Sequence, residues 1–164
     1  MQEPDQHDLL DKIEASWRSQ GSLLEGIIDI TRLDSGVITP KRHAIDVPVE
    51  LGNLASEYSE PVAEKAITLQ CQFEPMRVNT DPLLLTRILR NVLTNAVKFT
   101  PNGGCIDLIC RLNDGLVHII VRDNGPGIAP EEHDRIFAEY VQLDNKAGNN
   151  DAGLGLGLSI VQSL

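Results

Sequence analysis

Residues 81–104 read DPLLLTRILRNVLTNAVKFTPNGG, and this stretch decides the fold. Asp81 followed by Pro82 marks a helix start. An Asp side chain accepts from the unpaired N–H groups of a first turn, and Pro at the first helical position has no N–H to lose. Leu84, Leu85, Ile88, Leu89, Val92, Leu93, Ala96 and Val97 recur at helical spacing and form one broad apolar side. Thr100-Pro101-Asn102-Gly103-Gly104 cannot continue a helix. The spacing therefore predicts one amphipathic helix over 81–99. Asn91, Asn95 and Lys98 stand at i, i+4 and i+7 and share one face of it. Two amides and one ammonium can hold a hydrated cation and anionic oxygens; an ordinary polar face has the same composition.

Downstream, residues 105–112 and 116–123 read as two strands joined by Asn113-Asp114-Gly115, a hairpin signal. The second strand runs into Asp123-Asn124-Gly125-Pro126-Gly127-Ile128. A carboxylate at a strand end can accept from the exocyclic amine of adenine, and glycines beside it let backbone approach a ligand. The same string also suits a plain tight turn. Residues 130–137 read as a short helix and 144–152 as a polar loop. Gly153-Leu154-Gly155-Leu156-Gly157 then opens a last helix. Glycines at a helix start offer N–H groups to phosphates, or else act as a hinge.

Upstream, residues 44–47 read as a strand and 49–65 as a helix with an irregularity at Pro61. Residues 67–73 alternate with the period of a half-buried strand. Helices segregated to one face of a largely antiparallel sheet make an α+β two-layer sandwich. Residues 5–35 read as one long helix. Leu10, Ile13, Trp17, Gln20, Leu24, Ile27 and Thr31 form a heptad seam, widened by Leu9, Ser16, Leu23 and Ile30. A face this wide needs partner helices, which predicts a homodimer through residues 9–31.

The 164 residues carry 14 Lys and Arg against 24 Asp and Glu, a net charge of −10. Such a chain lacks the basic face that nucleic acid or anionic lipid requires. No apolar run is long enough to cross a bilayer, and the acidic, polar N-terminus is not a signal peptide. The 3 cysteines, Cys71, Cys105 and Cys110, form no metal-binding pair and read as packing residues of a protein in a reducing, cytoplasmic setting.

Taken together, the motifs and their order resemble the sensor histidine kinases of two-component systems. Asn91, Asn95, Ala96 and Lys98 match that family's N box. The string from Asp123 to Ile128 matches the G1 box, Ile136-Phe137 with Glu139-Tyr140 the F box, and Gly153 to Gly157 the G2 box. The resemblance implies the Bergerat ATP-binding fold over 43–164, with ATP and Mg²⁺ as cofactors. Asn95, assisted by Asn91, would hold Mg²⁺, and Lys98 would meet phosphate. Asp123 would take the adenine amine, with Gly125, Gly127 and Ile128 shaping the pocket. Phe137, Tyr140, Gly153, Leu154, Gly155, Leu156 and Gly157 would complete it, and the loop between Tyr140 and Gly153 would be a lid. Residues 1–38 resemble the second helix of the family's dimerisation hairpin. His7-Asp8 is not followed by the family's phosphoacceptor pattern, so the phosphorylated His is read as lying outside this chain. The resemblance also implies a missing first hairpin helix and missing last strands, a piece of a larger kinase whose further partner is a response-regulator receiver domain. Two rivals stand beside it. ATPases of the same superfamily place Glu where this chain has Asn91, and a non-catalytic dimerisation or nucleotide-sensing module would keep the fold alone.

Overall fold

The computed structural model describes residues 39–142 and 155–164. The helix read over 5–35, the polar loop over 144–152, and Gly153 and Leu154 lie outside the described residues. Residues 39–134 belong to one compact unit, and the described residues from Arg135 to Ser163 to another.

In the first unit, β1 (His43–Asp46) and β3 (Arg77–Thr80) form an antiparallel ribbon in which Ile45 faces Val78. Each strand runs straight into a helix. Asp46 caps α1 (Val47–Glu57), its Oδ1 accepting from Val49 N at 3.2 Å. Asp81 caps α3 (Pro82–Phe99), its Oδ1 accepting from Leu83 N at 2.9 Å and Leu84 N at 3.2 Å. The expected Asp-Pro start is thus realised residue for residue. The other oxygen of Asp81 accepts from Lys41 N at 2.7 Å, so one carboxylate ties the entering chain to the start of α3.

The helix expected over 49–65 is two helices. α1 begins at Val47, because Asp46 is its cap and not a strand interior. It ends at Glu57, and α2 (Ser59–Glu64) follows after Tyr58. Pro61 explains the break, since its ring conflicts with the carbonyl four residues earlier, at Glu57. The Tyr58 hydroxyl donates to Arg90 O at 3.1 Å and lies 2.9 Å from Thr94 Oγ1, which pins the break to α3. Burial raises the pKa of that phenol.

The larger sheet has the order β2 (Thr68–Phe73), β4 (Cys105–Asn113), β5 (Leu116–Asp123). β4 and β5 form the expected hairpin. Asp114 and Gly115 both have positive φ, 52° and 77°, as a type I′ turn requires. β2 and β4 pair in parallel, because the chain between them returns through α3 and re-enters in the same direction. The sheet is therefore mixed, since its other pair, β4 with β5, is antiparallel. The inner face of the sheet packs Leu108 and Cys110 against Val47, Leu51 and Leu54 of α1 and Leu89 and Leu93 of α3. Ile106 meets Val62, Ile67, Ala96 and Val97. Each such side chain taken from water contributes about 1.5–3 kcal/mol, so the core fixes the axis and rotation of α3.

The short helix expected over 130–137 is absent. Two 3₁₀ turns stand there, Pro130–Glu132 at the end of the first unit and Arg135–Phe137 in the second. A stretch this acidic has few apolar residues to dock a longer helix. α4 (Gly157–Ser163) buries Ile160 and the Ser159 side chain, whose hydroxyl donates to Leu156 O at 2.8 Å. No helix among the described residues is long and apolar enough to cross a membrane.

The Asp81 clamp has a pH signature. Hydrogen bonds from Lys41 N, and then from Leu84 N and Leu83 N, hold this carboxyl below its ordinary range. Its extra stabilisation is complete above the ordinary carboxylate pKa and is lost as pH falls through the lowered folded value. Asp81→Asn is expected to be less stable than wild type at about pH 7, with the gap narrowing as pH falls below the ordinary carboxylate range. Urea midpoints across that range check it; a constant gap would contradict the assignment.

Candidate nucleotide-binding site

The core takes Leu89, Leu93, Ala96 and Val97 from one side of α3, and Asn91, Asn95 and Lys98 lie half-buried away from them. Asn91 Nδ2 donates to Arg87 O at 3.0 Å, one turn back. That bond uses one of the two amide N–H groups, and Oδ1 is the group able to meet a cation. The Lys98 ammonium lies 5.3 Å from the centroid of the Phe99 ring, a cation–π contact that keeps it beside the last turn.

The strand-end carboxylate is brought to that same turn by close backbone packing. A Cβ on Gly125 would stand 2.9 Å from Phe99 O and 2.7 Å from Asp123 Oδ1, so only glycine fits there. Asn124 anchors the loop. Its N donates to Cys105 O at 3.2 Å, and its Oδ1 accepts from Cys105 N at 2.9 Å. Gly104 makes the close approach on the other side, where a Cβ would stand 2.6 Å from Asn124 Oδ1. Asp123 is exposed, and its Oδ1 accepts from Gly125 N at 2.9 Å. Its second oxygen is able to accept a further hydrogen bond. Gly127 takes φ 69°, a left-handed conformation that a side chain would strain. The His133 ring, through Nε2, lies 3.1 Å from Ile128 O and closes the loop.

The helix face and the Asp123 loop, read separately in the sequence, therefore share the C-terminal end of α3. Two contributors went unread. Asn124 carries a signal, since Asn before Gly is a turn residue whose side chain caps backbone. Lys65 carries none, because its partners lie 32–35 residues away: Nζ donates to Val97 O at 2.7 Å, Lys98 O at 2.9 Å and Thr100 O at 2.7 Å.

In the second unit, a Cβ on Gly155 would stand 2.6 Å from Val141 O, and Gly155 has φ 73°. Leu156 beside it is buried. Tyr140, itself at φ 61°, is 65% exposed, and Phe137 is half-buried in its 3₁₀ turn. The described residues contain no cluster of His, Cys, Asp and Glu able to hold a metal. A cation here would rest on amide oxygens and on its ligand's own phosphates, a donor set that suits Mg²⁺.

A two-layer α+β unit that sets amides and an ammonium on one helix beside a strand-end carboxylate has the plan of a Bergerat ATP-binding domain. A profile of the family described as histidine kinase-, DNA gyrase B-, and HSP90-like ATPase matches residues 80–164. The chain belongs to that family. It is 36% identical over 162 residues to the aerobic respiration control sensor protein ArcB homolog of Haemophilus influenzae, covering 97% of this chain and 49% of that protein. It is 30% identical over 162 residues to the sensor histidine kinase RcsC of Escherichia coli K12, covering 94% of this chain and 17% of that protein. The chain thus spans half or less of the length of these relatives. The crystal structure of full-length ShkA in complex with AMPPNP superposes with a TM-score of 0.81 at 31% identity, over 99% of this chain and 34% of that one. The histidine kinase AdeS of Acinetobacter baumannii shares the fold, with a TM-score of 0.79 at 16% identity.

Two glycine substitutions separate packing from propensity. Gly125→Ala forces a methyl against the Phe99 carbonyl and is expected to cost about 1–3 kcal/mol. Gly52→Ala, inside α1 with nothing within 4 Å of the new Cβ, is expected to stabilise by about 0.5–1 kcal/mol. Denaturant unfolding of both variants checks the contrast.

Proposed function

We propose that this chain is the ATP-binding catalytic region of a two-component sensor histidine kinase. The observation that carries the reading is Asn91. It stands where a water-activating Glu would serve a hydrolase, and one of its amide N–H groups is bonded to Arg87 O. An amide cannot act as general base, so the site is built to hold a phosphoryl donor and not to hydrolyse it.

In this reading Asp123 accepts from the adenine amine, which admits adenine and rejects guanine, and Gly125, Gly127 and Ile128 line the base pocket. Lys98 contacts phosphate oxygens, and Asn95 with Asn91 would hold Mg²⁺, which neutralises phosphate charge. Phe137, Tyr140 and the run from Gly153 to Gly157 are proposed to complete the ATP site, the backbone N–H groups of the glycine run meeting phosphate. Phosphoryl transfer asks mainly for positioning and charge neutralisation, and these side chains supply both. The γ-phosphoryl group would pass to a His outside this chain and then to an Asp of a response regulator. Residues 1–38 would supply the second helix of a dimerisation hairpin, pairing two copies through residues 9–31. A cytoplasmic setting agrees with ATP as ligand and with three free cysteines.

Calorimetric titration tests the site. Asp123→Asn is expected to weaken ATP about ten- to a hundredfold, the cost of one charged hydrogen bond. Wild-type protein that binds GTP as well as ATP overturns the role of Asp123. Sustained phosphate release from ATP by wild type would favour the hydrolase reading instead.

A further inference from the structure

We propose that Lys65 is a positioning residue for the phosphate end of the site, acting through the last turn of α3; the inference rests on the nucleotide reading above. The turn has a defect for this task. A helix C-terminus carries unpaired carbonyls and about half a negative charge, and here that end stands at the residue assigned to anionic phosphate, Lys98. Lys65 answers both problems. Its ammonium has three N–H donors, and the structure gives it three acceptors, the carbonyls of Val97, Lys98 and Thr100, at 2.7, 2.9 and 2.7 Å. One of those carbonyls belongs to Lys98 itself. The Lys65 backbone is held as well, its carbonyl accepting from Gly103 N at 2.9 Å, and left-handed Ala66 turns the chain away behind it. The side chain is half-buried, in the described residues makes these bonds to backbone alone, and so is a fixed charge behind the turn and not a ligand contact.

Two consequences follow from the geometry. Lys65 holds the backbone from which Lys98 projects, and it cancels the negative helix end that would repel a polyphosphate. Both act on the phosphates and neither on the base, which is assigned to Asp123 at the end of β5. Removing Lys65 is therefore expected to weaken Mg·ATP selectively and to leave adenosine nearly unchanged. A lysine with only a packing role would lower both affinities together, through loss of folded protein.

The test is calorimetric titration of wild type, Lys65→Met, Lys98→Met and the double variant with Mg·ATP and with adenosine, with thermal unfolding alongside. Lys65→Met is expected to weaken Mg·ATP about tenfold and adenosine less than about twofold. In the Lys98→Met background its effect on Mg·ATP should be clearly smaller than in wild type, because the share carried through Lys98 is gone while the charge share remains. Equal losses for both ligands, unchanged ATP affinity, or full additivity with Lys98→Met overturns the inference. Should Lys65→Met not fold, Lys65→Gln decides. It keeps amide donors for the turn and removes the charge, so the same ATP-selective loss is expected, and wild-type ATP affinity overturns the inference. Wild type that binds no Mg·ATP overturns the nucleotide reading itself, whereas normal wild-type binding with an unaffected Lys65 variant overturns this inference alone.

Discussion

An α-helix cannot satisfy its own last carbonyls, and the C-terminal end of α3 is where this unit resolves that constraint. Thr100 N bonds to Ala96 O, Lys65 takes the carbonyls of Val97, Lys98 and Thr100, and Phe99 O faces the backbone of Gly125. Each of these partners is then committed. Lys65 fixes the end of α2, Gly103 and Gly104 fix the turn into β4, and Gly125 fixes the loop that leaves β5. The candidate site stands on this junction, since the residues assigned to phosphate and to base project from its two sides.

The opposite end of α3 is secured by a different device with the same logic. There the free groups are N–H donors, and Asp81 takes two of them together with Lys41 N. Asp46 takes one such donor, Val49 N, for α1 at the other end of the β1–β3 ribbon. A four-residue ribbon is too short to be stable alone. Its role is to deliver two capped helices onto the sheet, where Leu51, Leu93 and Leu108 are all fully buried.

The chemistry follows from what the core leaves uncovered. Packing consumes the apolar side of α3, so Asn91, Asn95 and Lys98 remain on the other side. The hairpin register, with Ile106 opposite Asp123, brings the carboxylate level with the start of β4 and therefore beside the turn from α3. A nucleotide needs a base-reading group and phosphate-reading groups held apart by fixed backbone. In the proposed site a helix and a strand would supply them, and Gly125 sets the close approach of the loop to Phe99 O.

Much of this was legible in the sequence because it is local. Asp81-Pro82 starts a helix through contacts within four residues. Asp114-Gly115 closes a hairpin because both positions tolerate positive φ, and the spacing of Asn91, Asn95 and Lys98 fixes their common face by helical geometry alone. The motif order then pointed to the family and to the residues proposed to hold ATP. What tertiary structure alone decided is non-local. β3 has one apolar residue, Val78, and exists because β1 pairs with it. The parallel pairing of β2 with β4 depends on the return path through α3. The break at Tyr58 is pinned by α3, and Lys65 finds carbonyls 32–35 residues away. Periodicity and propensity report a residue's neighbours along the chain; a hydrogen bond between distant segments is set by where packing leaves an unpaired group, and no local pattern encodes it.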